Sequence, residues 1–297
     1  MTSRVLLVDG MAFLFRAFYA TSVHGRFLRN EEGTPTNAVQ GYLRHVTEAA
    51  IASSANRVIV CWDMGSKTFR NELYDGYKSN RGAPPEEMIP QFELAKDATT
   101  ALSVPNVGLV GYEADDCIGT LAHQYSKSYD VMIATGDKDL LQCLDDSVSV
   151  WFAQKGVGNY DKWTKERFVE EVGLEPAQWI DVKALMGDTS DCYPGVPGVG
   201  EKTAIKFLQQ FASIDGLYGA VDQLTPAKKK SVLGAKEDVS LGRRLATIRQ
   251  DAPLDGQAIF SYAPSAEEVC RKRVGGLKLV GVEPILSRWF SHVDHAG

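Results

Sequence analysis

Nine acidic residues of this 297-residue chain stand at positions where a metal-dependent reaction could use them. They follow short apolar runs or lie at the beginning or end of helical patterns. The nine are Asp9, Asp63, Glu113, Asp115, Asp116, Asp137, Asp139, Asp188 and Asp191. Carboxylates that converge repel one another, so their pKa values rise strongly unless cations compensate the charge. Mg²⁺ and Mn²⁺ prefer oxygen ligands, and the sequence offers no zinc-like set of His and Cys residues.

A two-metal site is the chemistry that this set favours. Two divalent ions about 4 Å apart activate water and stabilise both oxygens of an in-line phosphoryl displacement. The alternative is that acids simply favour the first turn of a helix, and it fits Glu113, Asp115 and Asp116. It fits Asp188 and Asp191 poorly, because they end a helical pattern, where negative charge opposes the helix dipole.

Five short apolar runs predict the strands that would position these acids. We expect strands at 4–9, 57–63, 107–111, 130–135 and 147–152. The first, second and fourth runs are continuously apolar, which is typical of parallel strands buried on both faces. Helical patterns alternate with them, which predicts an α/β catalytic domain over residues 1–160 with a mostly parallel sheet flanked by helices. The acids would then lie at the carboxyl edge of the sheet, where open α/β folds bind ligands.

The second half of the chain loses its strand patterns, and we expect a helical domain over residues 161–297. Helices are predicted at 165–172, 176–186, 202–211, 226–233 and 236–249, followed by an irregular connector at 250–263. Between the second and third predicted strands lies a long insertion, 64–105, rich in basic and aromatic residues with Gly and Pro. A solvated loop with one helix is the alternative interpretation of this insertion.

Composition excludes several classes of protein. The chain is 44% hydrophobic and 24% charged, which excludes a disordered or collagen-like protein. No apolar run approaches the ~20 residues that span a bilayer, and the first ten residues lack a signal-peptide core. Five scattered cysteines without a CxxC pair indicate neither disulfides nor zinc, so we expect a cytoplasmic location. The net charge is −6, but without the nine acids it would be +3, so a nucleic-acid partner remains compatible.

The glycine-rich run GVPGVGEKTA at 195–204 nearly matches a nucleotide-binding P-loop. Glu201 interrupts the motif before Lys202, and no strand pattern precedes it, so we expect no nucleotide cofactor. A glycine-rich turn between two helices can instead hold a nucleic-acid phosphate on its amides and on the following helix N-terminus. Lys202 and Lys206 lie one turn apart on that helix and suit the same ligand. A simple connector with solvated lysines is the alternative.

Five blocks of sequence, taken together, resemble the 5′ nuclease (flap endonuclease) family. They are LLVDG, TFRNELYDGYKSNR, GYEADDCIGTLA, TGDKDLLQ and LMGDTSD-x-x-PGVPGVGEKTA. That family includes the N-terminal domain of bacterial DNA polymerase I and stand-alone bacterial and phage 5′–3′ exonucleases. The blocks CWDMGSKTFRN and APPEEMIPQF are most similar to the stand-alone Gram-positive type. Polymerase-linked members usually read Asp-Asn-Ile-Pro where this chain has Asp191-Cys192-Tyr193-Pro194, a departure that affects only the local turn.

The resemblance implies a divalent-metal-dependent, structure-directed DNA 5′–3′ exonuclease or flap endonuclease. Its products would carry 5′-phosphate and 3′-hydroxyl ends, and its partners would be DNA with 5′ ends, nicks or flaps, bound by a monomer. Two Mg²⁺ or Mn²⁺ ions are implied. The first would be held mainly by Asp9, Asp63, Glu113 and Asp115. The second would be held by Asp137, Asp139, Asp188 and Asp191, with Asp115 near both and Asp116 assisting.

The resemblance also implies contacts with DNA. The 64–105 insertion would form a helical arch over the site. Within it Lys78 and Arg81 would contact the reacting phosphate as catalytic residues beside Asp115, and Tyr77 would lie near a displaced base. The turn at 195–200 would belong to a helix–three-turn–helix motif that grips the duplex. The implied contacts there are Gly195, Gly198, Gly200, Lys202 and Lys206, with K⁺ bound by the backbone carbonyls of Val196 and Val199.

Two further arginines are candidate phosphate contacts from their positions alone. Arg16 follows the first predicted strand, and its alternative is a stem packed on apolar neighbours. Arg70 lies in the insertion, and its alternative is a solvated charged face. The basic runs 228–230 and 271–273 are interpreted as solvated surface.

Three other functions compete with the nuclease hypothesis. A non-catalytic DNA-structure binder would gain nothing from nine repelling acids beside a polyanion. A phosphatase with Asp9 as nucleophile usually needs a second Asp two residues later, where this chain has Met11. A ribonuclease of the related compact nuclease fold typically lacks the helix–turn–helix part.

Overall fold

The computed structural model describes residues 3–260 and 265–296, and the described strands form one six-stranded sheet. In chain order the strands are β1 Arg4–Asp9, β2 Arg57–Cys61, β3 Asn106–Val107, β4 Asp130–Thr135, β5 Val148–Ala153 and β6 Tyr160–Trp163. Their spatial order is β3-β2-β1-β4-β5-β6. The first five are parallel, and β6 pairs antiparallel with β5.

The three continuously apolar runs form the three central strands β2, β1 and β4. Val5, Leu6, Leu7 and Val8 of β1 are fully buried, as expected for a strand covered on both faces. The predicted mostly parallel sheet flanked by helices is confirmed. Because the chain adds β2 and β3 on one side of β1 and then returns to place β4 on the other, the strand order reverses at β1. Such a reversal opens a crevice at the carboxyl edge of the sheet.

The described first half contains five α-helices, and four of them, all but the short third one, pack on the faces of this sheet. The five are α1 Gly10–Thr21, α2 Asn37–Ser53, α3 Phe69–Leu73, α4 Ile89–Ala101 and α5 Ala114–Tyr125. Apolar side chains of α1, α2 and α4 form one core with Leu6 and Val8 of β1. Those of α5 form a second core with Val5 and Leu7, and this core continues into the second half of the chain. Alternate side chains of β1 thus point to opposite faces of the sheet, and each set packs against a different layer of helices.

The second half is helical, as predicted. Its helices are α6 Lys165–Val172, α7 Trp179–Met186, α8 Glu201–Phe211, α9 Ile214–Gly219, α10 Pro226–Gly234, α11 Lys236–Ala246, α12 Gly256–Phe260, α13 Glu267–Gly276 and α14 Glu283–Ala296. Helix α7 packs against both α8 and α11, and the turn between α7 and α8 contains the glycine-rich run. Part of the expected connector 250–263 is the helix α12, and residues 261–264 lie outside the described residues.

The structure differs from the expected elements at several places. The third strand has two residues instead of five, because the chain leaves the sheet after Val107 and Val110 is 76% exposed. The domain boundary expected at residue 160 falls on the first residue of β6. The sequence of this polar edge strand, YDKW, did not predict a strand. Helices α13 and α14, which no pattern predicted, pack on α4 and α2 of the first half instead of on the second half.

The 64–105 insertion is helical only at its ends. Helices α3 and α4 flank residues 74–88, which form turns and irregular backbone in the described structure. Gly76, Gly82, Pro84 and Pro85 lie in this stretch and explain the absence of a helix there. We call residues 74–88 the 74–88 segment. The insertion was expected to form a helical arch over the site, and in this structure its 74–88 part is not helical.

Among the described residues, no helix combines the length and the apolar character needed to cross a bilayer.

Candidate active site

Asp9 brings the first carboxylate to the carboxyl edge of the sheet. It ends β1 and caps α1, and its Oδ1 accepts a hydrogen bond from the Ala12 amide at 3.0 Å. Its Oδ2 accepts the Thr135 hydroxyl, at the end of β4, at 2.8 Å. Burial, reinforced by the charges of Asp63 and Asp137, raises the pKa of Asp9 to about 6. A strand-end capping position thus holds a carboxylate that needs a cation.

Helix α5 delivers the next acids to the same place. Asp63, which follows β2, accepts the Ala114 amide at 2.7 Å and fixes the start of the helix. Glu113 and Asp115 lie at this start. Burial and the charges of Asp137, Asp9 and Glu113 raise the pKa of Asp115 well above its ordinary value. The Asp63 hydrogen bond places the acid that follows β2 beside the acids at the start of α5.

A second carboxylate cluster lies beside the first. Oxygen atoms of Asp139, Asp188 and Asp191 come within 4.8 Å of one another, a spacing that fits a metal ion. Burial and the neighbouring Asp137 raise the pKa of Asp139 to about 7. Burial opposes ionisation of Asp188 as well, but hydrogen bonds from Lys183 and Ser190 lower its pKa to about 2.

Lys183 belongs to this second cluster, and the sequence analysis missed it. Its ammonium lies 2.7 Å from Asp139 Oδ1 and 2.5 Å from Asp188 Oδ2, with only 10% of the side chain exposed. A sequence signal existed, since Lys183 is the one lysine of the otherwise mostly apolar α7, five residues before Asp188. A buried lysine needs an anionic partner, and the GDTSD acids were the available ones.

The 74–88 segment is fastened to both carboxylate clusters. Lys78 Nζ lies 2.7 Å from Glu113 Oε1, and Arg81 Nη2 lies 2.9 Å from Asp191 Oδ1. The Tyr77 hydroxyl lies 3.2 Å from Glu113 Oε2 and 3.1 Å from Asp191 Oδ2. The Lys78 amide also donates to the Asp191 carbonyl at 3.0 Å. The two cations predicted to meet a phosphate therefore stand over the acids.

Tyr77 differs from its predicted role. The residue is only 4% exposed, because its ring packs with Tyr193 and Leu245 in a small apolar cluster. Its hydroxyl, and not its ring face, reaches the site. In this structure Tyr77 cannot lie against a displaced base, so that prediction is wrong for the conformation seen here.

Arg70 and Asp116 also differ from their predicted roles. Their side chains are 3% and 0% exposed and form a two-armed ion pair, with Arg70 Nη1 at 2.7 Å and Nη2 at 2.9 Å from the two Asp116 oxygens. Both oxygens of Asp116 also accept backbone amides. Arg70 is therefore not a DNA contact, and Asp116 is not a metal ligand, because neither has a free face.

The glycine-rich turn divides into residues with different roles. A Cβ on Gly195 would lie 2.2 Å from the Gly187 amide nitrogen, so this glycine permits close packing of the backbone on the end of α7. Gly198 has φ +79° with open space around it, and Gly200 caps α8. The Val199 amide donates to the Val196 carbonyl at 3.0 Å. Gly198 and Gly200 have open space where a side chain would lie, so a ligand backbone could approach the turn closely at these two residues.

The remaining predicted DNA contacts lie outside the carboxylate clusters. Lys202 and Lys206 are exposed on α8. Arg16 is partly exposed on α1 and donates to the Gln154 carbonyl beyond β5. Its guanidinium is therefore used in part by the protein itself.

The donor chemistry fits divalent ions. The converging groups are carboxylates, and the pKa values of Asp9 and Asp139 are raised to about 6 and about 7. In the second cluster Lys183 and Arg81 supply compensating positive charges. Hard divalent cations compensate such oxygen sets.

Comparison with family models shows which known proteins this chain is similar to. Residues 4–173 match the 5′–3′ exonuclease N-terminal resolvase-like domain, and residues 174–264 match the 5′–3′ exonuclease C-terminal SAM fold.

The chain belongs to the 5′–3′ exonuclease family. The 5′–3′ exonuclease of Bacillus subtilis (strain 168) is 51% identical over 281 residues, covering 93% of this chain and 95% of the relative. The DNA polymerase I of Lactococcus lactis subsp. lactis is 40% identical over 256 residues, which cover 85% of this chain but only 29% of the polymerase. The family resemblance inferred from the sequence blocks is confirmed, as is the assignment as a phosphodiester hydrolase.

Solved structures support the fold. A T5 5′-exonuclease structure described with bound zinc covers 99% of this chain and 100% of its own, with a TM-score of 0.68 and 22% identity. A T5 flap endonuclease variant in a pseudo-enzyme-product complex with DNA and metal ions has a TM-score of 0.67 and 20% identity. At these identities the likeness establishes the architecture.

Proposed function

We propose that this family member hydrolyses DNA at or near a 5′ end by a two-metal mechanism and leaves 5′-phosphate and 3′-hydroxyl products. The observation that carries the proposal is the convergence of two carboxylate clusters under Lys78 and Arg81. Acids alone would repel a polyanion, and cations alone would only bind it. Their combination at one edge of the sheet suits a phosphate that is held and attacked.

The described carboxylates would hold two Mg²⁺ or Mn²⁺ ions. The first set is Asp9, Asp63, Glu113 and Asp115. The second set is Asp137, Asp139, Asp188 and Asp191, with Asp115 close to both. When bound there, the ions supply an activated water and stabilise the oxygens that attack and leave.

The chain's own cations orient the phosphate and the ligands. Lys78 and Arg81 are paired with Glu113 and Asp191 in this structure and would exchange these partners for the oxygens of the reacting phosphate. A cation aimed at developing negative charge is worth several kcal/mol in a transition state, on the order of 3 kcal/mol for one donor. Lys183 pairs with Asp139 and Asp188 in this structure, so an ion held by the second set would compete with its ammonium for these two carboxylates.

Binding of the DNA duplex would be provided by the second half of the chain. Helix α8 presents Lys202 and Lys206, and its N-terminus with Gly198 and Gly200 offers amides to a backbone phosphate. We include K⁺ bound by the carbonyls of Val196 and Val199 in this proposal, and Arg16 as an outer phosphate contact. All five cysteines are free thiols in the described structure, which suits the proposed cytoplasmic location, and we propose that the protein acts as a monomer.

Cleavage of 5′-labelled flap, nicked and single-stranded DNA tests the proposal. We expect cleavage in Mg²⁺ or Mn²⁺ without ATP, and loss of cleavage in excess EDTA. Undiminished cleavage in EDTA would exclude the metal mechanism. Binding of flap DNA without any cleavage in Mg²⁺ would instead favour the non-catalytic binder.

A further inference from the structure

The buried ion pair between Arg70 and Asp116 joins three parts of the chain. Arg70 comes from α3, at the base of the 74–88 segment, and Asp116 comes from the first turn of α5. Arg70 also donates through Nε to the Leu245 carbonyl at 2.8 Å and through Nη2 to the Thr247 carbonyl at 2.9 Å. These carbonyls lie at the end of α11, in the helical second half. One guanidinium therefore connects the segment above the site, the helix below it and the half proposed to bind the duplex.

Asp116 uses its oxygens for the same connection. Besides Arg70, Oδ1 accepts the Arg249 amide at 2.9 Å, and Oδ2 accepts the Glu113 amide at 3.0 Å. Four donors thus converge on one carboxylate that is fully buried. A metal ion would have to displace at least one of them, so its contacts are those of a structural anchor.

Both members of the pair act on Glu113. Asp116 fixes its backbone amide, and Arg70 Nη1 lies 3.5 Å from its Oε2. The other carboxylate oxygen, Oε1, meets Lys78. The orientation of Glu113 is therefore set by its anchored backbone amide and by Arg70, and Lys78 is a third contact in this structure. A ligand carboxylate that is held in this way loses little entropy when an ion or a substrate arrives.

We propose that Arg70 and Asp116 are a positioning pair that sets Glu113 and the base of the 74–88 segment for the reaction. The inference rests on the proposed function, since it assigns Glu113 to a metal ion. Substrate contact is assigned to neither residue. The charge balance of the pair explains why both are needed. Without Asp116, Arg70 would pair directly with Glu113, and without Arg70, the buried Asp116 would lose its compensating charge.

A double-mutant cycle of Arg70→Gln, Asp116→Asn and the combined variant tests this inference. The measurements are the single-turnover cleavage rate and the Mg²⁺ concentration for half-maximal rate, on enzyme whose folded fraction is known from thermal denaturation. We expect each single variant to lose about 10- to 100-fold in rate at saturating Mg²⁺, because the ligand is misplaced. The double variant should be no slower than the slower single variant, since both act through one interaction.

A metal-ligand role for Asp116 predicts a different pattern and would overturn the inference. Asp116→Asn would then raise the Mg²⁺ requirement, whereas Arg70→Gln would lower it by removing a nearby cation. A purely structural role would also overturn it, because both variants would then keep the wild-type rate per folded molecule. Val274→Ala, a core truncation on α13 remote from the acids, is the control that loses stability without losing rate.

Arg70→Lys keeps the inference testable if Arg70→Gln does not fold. It preserves the charge but loses the two-armed geometry, so a folded Arg70→Lys enzyme should still be about tenfold slower. A folded Arg70→Lys enzyme with the wild-type rate would contradict positioning by this pair. Failure of the proposed function is distinguishable, because it appears as an inactive wild-type protein before any variant is made.

Discussion

At the scale of single residues, Asp9 makes the metal-free protein sensitive to pH. Its pKa is raised to about 6, so the folded chain binds this proton more tightly than the unfolded chain does. The contribution of Asp9 to stability is therefore most favourable below about pH 4, declines as pH rises to about 6, and stays constant above that. A raised carboxylate pKa thus penalises folding at neutral pH until cations compensate the charge.

Asp9→Asn should remove this penalty in EDTA. The free energy of unfolding of the variant, relative to wild type, should rise by about 3 kcal/mol between pH 4 and pH 7.5, the value of a two-unit pKa shift. Asparagine keeps the cap of α1, so the backbone is preserved. Urea denaturation at the two pH values measures the difference, and a pH-independent difference would contradict the burial of a charged Asp9.

Asp116→Asn is the matched control in the same measurement. It removes a carboxylate that is compensated by Arg70, so it should lower the stability of the protein by about 3 to 5 kcal/mol. Two Asp→Asn changes in one site should thus shift stability in opposite directions at neutral pH. The sign of the stability change distinguishes Asp9, whose charge is not compensated, from Asp116, whose charge is compensated by Arg70.

Lys183 stands where a divalent ion would otherwise compensate Asp139 and Asp188. Lys183→Met should lower the melting temperature in EDTA because the two carboxylates are left uncompensated. It should also lower the Mg²⁺ concentration for half-maximal stabilisation by about tenfold, because a competing cation is gone. Lys165→Met, which breaks an exposed pair with Asp146, should leave the Mg²⁺ response unchanged. An unchanged response in Lys183→Met would show that the ammonium does not share the metal position.

The acids were predictable because each marks the end of a strand or of a helix. The partners of the acids were not, since partnership depends on side chains brought from distant elements. Arg70 and Asp116 are 46 residues apart, and their carbonyl and amide partners come from a third segment. Nothing local distinguished Arg70, which is buried, from Arg81, which is 56% exposed.

At the scale of elements, α8 should contribute to DNA binding and not to the cleavage step. Lys202→Ala combined with Lys206→Ala should weaken duplex binding and reduce the slope of log affinity against log salt by about two, one per phosphate contact. The single-turnover rate at saturating enzyme should survive, because the carboxylate clusters are untouched. Fluorescence anisotropy across a salt series in Ca²⁺ measures the slope. Lys272→Ala, on the exposed face of α13, is the matched control, and an equal loss in that variant would refute the assignment to α8.

Elements were predictable where a single physical pattern dominated. The central strands β1, β2 and β4 are covered on both faces, and their unbroken apolar runs predicted them correctly. The edge strand β6 is polar and takes its conformation from its pairing with β5, so its own residues carried little signal. The 74–88 segment is held by ion pairs to the acids, and such pairs produce no periodic pattern in the amino-acid sequence.

At the scale of the whole molecule, the sheet separates two cores that serve the site differently. The core containing α5 continues into α7 and α8, so the strand-end acids and the acids after α7 are carried by one packed unit. On the opposite face, α13 and α14 cover α4 and α2 with Trp289, Phe290 and Leu286. These last helices lie beyond the residues that match the family models. They stabilise the layer that holds the C-terminal end of the 74–88 segment, where α4 begins.

The placement of charge in the whole molecule also predicts how DNA binding responds to metal. The chain carries a net charge of −6, and eight of its 38 acidic residues form the two carboxylate clusters. In EDTA these clusters repel the phosphate backbone, and in Ca²⁺ they are compensated, so flap DNA should bind more weakly in EDTA. Asp188→Asn should bind DNA about two- to tenfold more tightly than wild type in EDTA, since one charge facing the phosphate is removed.

Glu93→Gln changes the net charge by the same amount but on an exposed position of α4, and its affinity should equal that of wild type. In Mg²⁺, Asp188→Asn should cleave slowly despite its tighter binding, because the second cluster has lost a ligand. Equal tightening by both substitutions would show that net charge alone governs binding. Weaker binding with an unchanged rate in Asp188→Asn would show that this acid is structural and would exclude the two-metal assignment.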